Sequence, residues 1–187
     1  MVPKEYYGRL FTKEQLPVDY HSEAFTLESM IKVDKQLRCK RCYSQIEEDW
    51  QLPEGQYYCR ACIVFGRNQE GKELYYFPSK TSEIEFPVLK WFGELTPYQA
   101  KVSEKLLRTY QKQKDSLVHA VTGAGKTEMI YNIVAYVLEN KGHVAIASPR
   151  VDVCRELFLR MKRDFTCSIS LLHAESEPYD GSPLVIA

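Results

Sequence analysis

The sequence predicts an α/β chain: a parallel sheet flanked by helices and carrying a phosphate-binding loop, preceded by a small four-cysteine zinc module. Three observations carry this. From Trp91 onward, short apolar strands alternate with amphipathic helices. Residues Ala120, Val121, Thr122, Gly123, Ala124, Gly125, Lys126 and Thr127 lie between one such strand and the next helix. Cys39-x2-Cys42 is followed, after sixteen residues, by Cys59-x2-Cys62.

Composition bounds the alternatives. Of 187 residues, 44% are hydrophobic and 27% charged, enough for one core plus a small module and too apolar for wholesale disorder. The 25 basic side chains balance 25 acidic ones, so no uniformly basic coat for nucleic acid exists. Locally, Lys32, Lys35, Arg38, Lys40 and Arg41 crowd together, opposed only by Asp34. That patch reads either as a phosphate contact or as a solvated surface run. No run of 18 apolar residues could cross a membrane. The start, MVPKEYYG, lacks the apolar core and cleavage site of a secretory signal. A cytosolic chain is expected.

Residues 1–30 are aromatic without a clean period and read as an extension packed on something else. Residues 31–78 form the cysteine module, with β-like runs at Gln56–Tyr58, Ile63–Phe65 and Leu74–Phe77. Pro78, Ser79, Thr81, Ser82 and Pro87 predict a linker over 79–90. Residues 91–187 then form the α/β region. Thr96-Pro97 starts a helix with a capping residue and Pro at the first helical position, and Val102, Leu106, Leu107 and Tyr110 follow at helical spacing. Ser116–Val121 reads as a strand, 125–140 as a helix closed near Asn140 and Gly142, and His143–Ser148 as a second strand. Val151–Phe165 is a helix whose Cys154, Leu157, Phe158, Met161 and Phe165 share one face. Ser168–Leu172 and Leu184–Ala187 read as two more strands.

The x2 spacing lets the two thiolates of a tight turn face one centre. Two such turns, Cys39/Cys42 and Cys59/Cys62, supply four sulfurs and close a tetrahedral zinc shell, leaving no position for water or substrate. The metal expected is therefore structural Zn2+, with an iron–sulfur cluster as the other occupant of such a ligand set. Cys154 and Cys167 have no partner pattern and read as small apolar residues. Arg38, Lys40, Arg41, Arg60 and Arg67 interleave with Tyr57, Tyr58, Tyr75, Tyr76 and Phe77. Cations with stacking rings suit a DNA-gripping surface; the rings equally suit a small core.

In the loop 120–127, successive backbone N–H groups converge on an anion, and Gly123 and Gly125 let the backbone approach. Lys126 would reach the β- and γ-phosphates of ATP, and the Thr127 hydroxyl would hold Mg2+. Ala120 stands where the general pattern begins with Gly.

A-x-x-G-x-G-K-T resembles the form found in superfamily 2 helicases and translocases, which implies a RecA-like lobe. Leu95-Thr96-Pro97-Tyr98-Gln99, with Gln99 lying 27 residues (126 − 99) before Lys126, is similar to that superfamily's adenine-reading element. An amide returns both the donor and the acceptor of adenine's exposed edge. Thr96-x-x-Gln99 is also a capping box. Trp91 or Phe92 could stack on a base, but a core role is the reading adopted for both. Ser148-Pro149-Arg150 resembles the next motif, which implies a backbone-phosphate contact for Arg150.

A four-cysteine module ahead of such a lobe, joined by W-F-G-E-L-T-P-Y-Q and followed by A-S-P-R-V-D-V, resembles the ComFA family of competence-associated ATPases of Gram-positive bacteria. The resemblance implies a DNA-dependent ATPase that moves transforming single-stranded DNA inward at the inner face of the cell membrane. It further implies ComFC-like and DprA-like partners, an uptake channel and possible oligomers. The superfamily needs an acidic D-E-x-D/H pair on a later strand and arginines from a second lobe. Residues 128–187 hold no such pair after an apolar strand. An N-terminal fragment, an incomplete lobe unable to turn over ATP alone, is expected. Replication-restart helicases also join zinc to a motor, but their cysteines lie later in the chain. A zinc-stabilised adaptor with an idle pocket shares all the motifs. A small-molecule kinase shares Gly123–Thr127 but explains neither Gln99 nor the cysteines.

Overall fold

The computed structural model describes residues 2–78, 84–173 and 176–187, and the chain divides into two units, Met1–Lys80 and Thr81–Ala187. Of the expected linker, 79–83 lie outside the described residues.

The first unit has strands β1 (Leu10–Thr12), β2 (Phe25–Glu28), β3 (Met30–Val33), β4 (Gln36–Cys39) and β5 (Glu73–Tyr76). β3 and β4 are an antiparallel hairpin whose two-residue turn is Asp34 (φ 50°) and Lys35 (φ 67°). Two left-handed residues match the twist of the flanking strands, and an aspartate tolerates that region better than most side chains. The hairpin fixes a register in which Met30 faces Cys39, bringing the first cysteine into a small core of Met30, Cys39, Ile46, Cys59 and Cys62. β1 and β2 flank β5, both antiparallel, with Phe11 opposite Tyr75 and Leu27 opposite Leu74. What the first thirty residues pack on is thus β5: Val2, Phe11, Leu16, Tyr75 and Phe77 form one buried cluster. Two expected strands differ. Gln56–Tyr58 makes only isolated bridges, Tyr57 to Gln51 and Tyr58 to Gln69. Ile63–Phe65, despite its β-forming residues, is a 3-10 turn, because the backbone must curl where the Phe65 N–H reaches the Cys62 carbonyl at 3.1 Å.

The second unit carries α1 (Pro97–Gln111), α2 (Lys126–Met129), α3 (Tyr131–Glu139), β6 (Val144–Ile146), α4 (Val151–Asp164), β7 (Ile169–Leu171) and β8 (Leu184–Ile186). The sheet is parallel, in the order β6-β8-β7, with β8 in the centre. Parallel strands need crossover connections, and α4 supplies the one from β6 to β7, which lie on either side of β8. The core joins Tyr131, Val134 and Leu138 of α3, Cys154 and Met161 of α4, Phe165, and Leu184 and Ile186 of β8. Leu157 and Phe158 pack against it, so the apolar face read on α4 is the one it turns inward. Each large side chain buried there contributes about 1.5–3 kcal/mol. Cys167 also packs against this core.

Three expectations are corrected in this unit. The helix over 125–140 is two: the Ile130 N–H bonds Thr127 at 3.3 Å, an i→i−3 contact that tightens the first turn, and the helix restarts at Tyr131. Its end does fall near Asn140 and Gly142, where the Lys141 N–H reaches Leu138 and the Gly142 N–H reaches Val137, both at 2.8 Å. Ser116–Val121 joins none of the described sheets, and Leu117 stays 96% exposed. Apolar β-formers make a strand only where a neighbour accepts their backbone groups, and β6, β8 and β7 pair among themselves. Residues 84–90, read as linker, lie against the second unit's core. Val88 is fully buried, Leu89 bridges Phe165, and the Lys90 N–H reaches the Asp164 carbonyl at 2.7 Å.

Candidate functional site

The phosphate loop turns on two glycines in left-handed conformations, Gly123 at φ 81° and Gly125 at φ 73°. Such angles cost other residues about 1–2 kcal/mol. Gly125 is the N-cap of α2, so the turn ends with the backbone N–H groups of Lys126 and Thr127 opening the helix. That helix is a single turn, so attraction for an anion rests on the loop's N–H groups and Lys126 more than on a long macrodipole. Lys126 bends back over the loop, its Nζ donating to the carbonyls of Val121 at 2.7 Å and Ala120 at 3.0 Å. Thr127 is half-buried beside it.

Gln99 is brought to this loop, 25 residues away in sequence, by the start of α1. Its Nε2 donates to the Ala124 carbonyl at 2.9 Å, while its Oε1 accepts the Thr96 N–H at 2.9 Å. The reciprocal Gln99 N–H to Thr96 Oγ1 contact, 3.4 Å, completes the capping box. The amide therefore both closes the helix start and props the loop. A β-carbon at Gly125 would crowd Gln99 Nε2, so a side chain there would displace the Gln99 amide as well as strain φ. Glu128, next after Thr127, accepts Arg160 Nη1 of α4 at 3.3 Å. The two remaining aromatics divide. Trp91 meets Tyr131 edge-on at 5.5 Å and belongs to the core. Phe92 is 97% exposed, which corrects the core role expected for it; Gly93 follows it, and the Trp91 ring occupies the space a β-carbon there would need.

Arg150 is the N-cap residue of α4 and is exposed, as a phosphate contact requires. Its fork is engaged locally: Nη2 reaches Asp152 Oδ2 at 2.6 Å and Nε reaches Oδ1 at 3.2 Å. That pairing raises the arginine's affinity for its proton and lowers that of Asp152.

In the first unit, the four cysteines of the two x2 turns converge. Cys39 Sγ lies 3.7 Å from Cys62 Sγ, Cys42 Sγ lies 3.5 Å from Cys59 Sγ, and all four sulfurs lie within 4.8 Å of one another. A tetrahedron of thiolates about 2.3 Å from a zinc ion has edges of about 3.8 Å, so the spacing fits that metal. It does not fit disulfides, whose sulfurs sit about 2.05 Å apart, and all six cysteines are free. Burial pushes the Cys42 thiol up, but its hydrogen bonds with Ser44, Cys59 and Cys39 together outweigh this and bring it down to about 6. Burial pushes the Cys59 and Cys62 thiols up, against the opposing hydrogen bonds of Arg41 at Cys62.

Two residues at this centre were not legible as site residues. Arg41, grouped with the basic patch, turns inward and places Nη2 3.1 Å and Nε 3.3 Å from Cys62 Sγ. Asn68, 1% exposed, donates Nδ2 to Cys39 Sγ at 3.1 Å. Arg41's place inside the first x2 turn was the available signal; Asn68 had none. Arg38 lies over Tyr43 at 5.2 Å and bonds Gln36, while Arg60 and Arg67 lie over Tyr58 at 5.6 and 5.8 Å, Arg60 also pairing with Asp49 at 3.0 Å. Tyr75 and Phe77 are core.

A glycine-rich loop feeding a helix, in a unit that also holds a parallel sheet, is an α/β arrangement, and residues 92–178 match the family described as the res subunit of type III restriction enzymes. The likeness to ComFA extends over nearly the whole chain. It is 53% identical over 186 residues to competence protein ComFA of Streptococcus pneumoniae (strain ATCC BAA-255 / R6), covering 98% of this chain and 42% of that protein. With competence protein ComFA of Bacillus subtilis (strain 168) the identity is 32% over 185 residues, covering 95% and 40%. The chain thus spans about two fifths of the length of these curated relatives. No solved structure matches it. Among the described residues, no helix is long and apolar enough to cross a membrane.

Proposed function

We propose that this chain is the zinc-stabilised, nucleotide-binding part of a competence-associated, helicase-like DNA-uptake protein, which in its complete form is a DNA-dependent ATPase translocating single-stranded DNA. The observation that carries this reading is the loop Ala120–Thr127, with both glycines left-handed and Lys126 and Gln99 converging on it. The names of the similar proteins support the competence context.

In this reading the N–H groups of 122–127 cradle the β-phosphate of ATP. Lys126 exchanges two neutral carbonyls for charged phosphate oxygens, which accept hydrogen bonds roughly twice as strongly. Thr127 Oγ1 would be the chain's own ligand for Mg2+, which would supply positive charge against the phosphates in phosphoryl transfer. Gln99 reads adenine with the amide valences its capping role leaves over. Arg150, released from Asp152, meets a DNA phosphate. The cysteine centre holds Zn2+ as a structural ion, fixing a unit whose own core is small. Single-stranded DNA, ComFC-like and DprA-like proteins, and a membrane uptake channel are the partners this reading names.

The test is phosphate release by a protein of the relatives' full length, with and without single-stranded DNA. DNA should stimulate release, and Lys126→Ala should abolish the stimulated part; a variant as active as its parent sinks the motor reading and leaves an adaptor. The 187 residues alone should bind nucleotide without turnover, since residues 128–187 hold no D-E-x-D/H pair after an apolar strand to position the attacking water.

A further inference from the structure

The cysteine centre is held from outside by two side chains that belong to opposite ends of the module. A zinc ion with four thiolates carries a formal double negative charge, and in a half-buried site that charge needs donors close to sulfur. The backbone turns offer some. Arg41 offers more, and in an unusual direction. It sits in the first x2 turn, between Cys39 and Cys42, yet all its contacts lie in the second. Besides the two approaches to Cys62 Sγ, Nη2 donates to the carbonyls of Cys62 at 2.7 Å and Gly66 at 2.6 Å, and Nη1 donates to Phe65 at 2.5 Å. Gln15 Nε2 adds a second donor to the Phe65 carbonyl at 2.9 Å. Asn68 works in the reverse sense. It follows the second turn, and its Nδ2 reaches Cys39 Sγ of the first as well as the Ser29 carbonyl at 2.8 Å. Its own carbonyl accepts the Cys59 N–H at 2.9 Å.

We infer that Arg41 and Asn68 are positioning residues of the metal centre: each crosses from one cysteine turn to a sulfur of the other, fixing the distance between the turns and neutralising part of the thiolate charge. This rests on the zinc reading above. Arg41 is thereby removed from the basic patch as a DNA contact, because four of its five N–H groups point at Cys62 Sγ, Cys62, Phe65 and Gly66. A lysine cannot replace it, since one ammonium cannot serve a sulfur and three carbonyls spread along a turn.

The experiment is chelator competition for Zn2+ and the absorption of the Co2+-loaded chain, for the parent, Arg41→Ala, Arg41→Lys and Asn68→Ala. Zinc affinity should fall about 10–100-fold in each variant, with Arg41→Lys failing to rescue. The sulfur-to-cobalt charge-transfer band should shift in Arg41→Ala, because a sulfur that loses two N–H donors is a better electron donor; a merely structural arginine would leave the band in place. Affinity within twofold of the parent together with an unmoved band overturns the inference while leaving the zinc centre standing. A parent chain that takes up neither metal overturns the zinc reading itself. Should Arg41→Ala not fold, Arg41→Lys keeps the stem and the charge, and parental affinity in that variant counts against the inference equally.

Discussion

Replacing Gly125 by alanine tests whether the phosphate loop and Gln99 form one unit. Two costs are separable. The left-handed backbone at φ 73° penalises a β-carbon by about 1–2 kcal/mol. The same β-carbon would crowd Gln99 Nε2 and lie tightly, at 3.3 Å, against Glu128 Oε2. Gln99 must swing away, forfeiting its 2.9 Å bond to the Ala124 carbonyl at about 1 kcal/mol. The sum is about 2–3 kcal/mol. Gly123 is the control: its φ of 81° carries the same conformational cost, but a β-carbon there meets nothing within 4 Å. Urea unfolding followed by tryptophan fluorescence gives each value. Gly123→Ala should cost about 1–2 kcal/mol, and Gly125→Ala should fall to that same level when made in a Gln99→Ala background. The coupling energy is then about 1 kcal/mol. Equal costs for Gly125→Ala in both backgrounds, or a larger cost at Gly123, would refute the contact between Gln99 and the loop.

Tyr131→Phe should destabilise the second unit by about 1.5–3 kcal/mol, because the buried hydroxyl donates to the Asp164 carboxylate at 2.7 Å; thermal unfolding reads it. Asp164 is held below the usual carboxylate range chiefly by Arg163's guanidinium and then by Tyr131, against its burial. Its contribution is therefore present above the unfolded value, about 3.9, and lost as pH falls through the lower folded value. Acid titration of stability should show that loss in the parent and a flatter profile in Asp164→Asn. Stripping metal from a zinc-loaded chain with a chelator should loosen the first unit and leave the second unit's transition unchanged, which amide hydrogen exchange resolves by region.

How much the sequence disclosed depended on how local each determinant is. Cysteine spacing is local: with two residues between them, two thiolates of one turn can face a common centre, so the convergence of all four sulfurs was legible. The loop was legible for the same reason, since Gly123, Gly125, Lys126 and Thr127 act within one bend. Arg41 and Asn68 were not, because their partners depend on how two turns meet. Propensity misled where a neighbour decided the outcome. Ile63–Phe65 has strand-forming side chains but follows a cysteine whose carbonyl it must cap. Ser116–Val121 has them too, without a described partner strand. At Gln99 the capping box forms through Oε1, while one N–H of the same amide goes to the loop, a contact the sequence did not disclose.

The bare stretch from Ser116 to Val121 has a consequence for handling the molecule. Six residues without a formal charge, rich in β-formers and displaying Leu117 and Val121 to water, are what cross-strand stacking between molecules requires. Concentrated solutions should cluster through this ribbon, and a lysine at Leu117 should keep them clear.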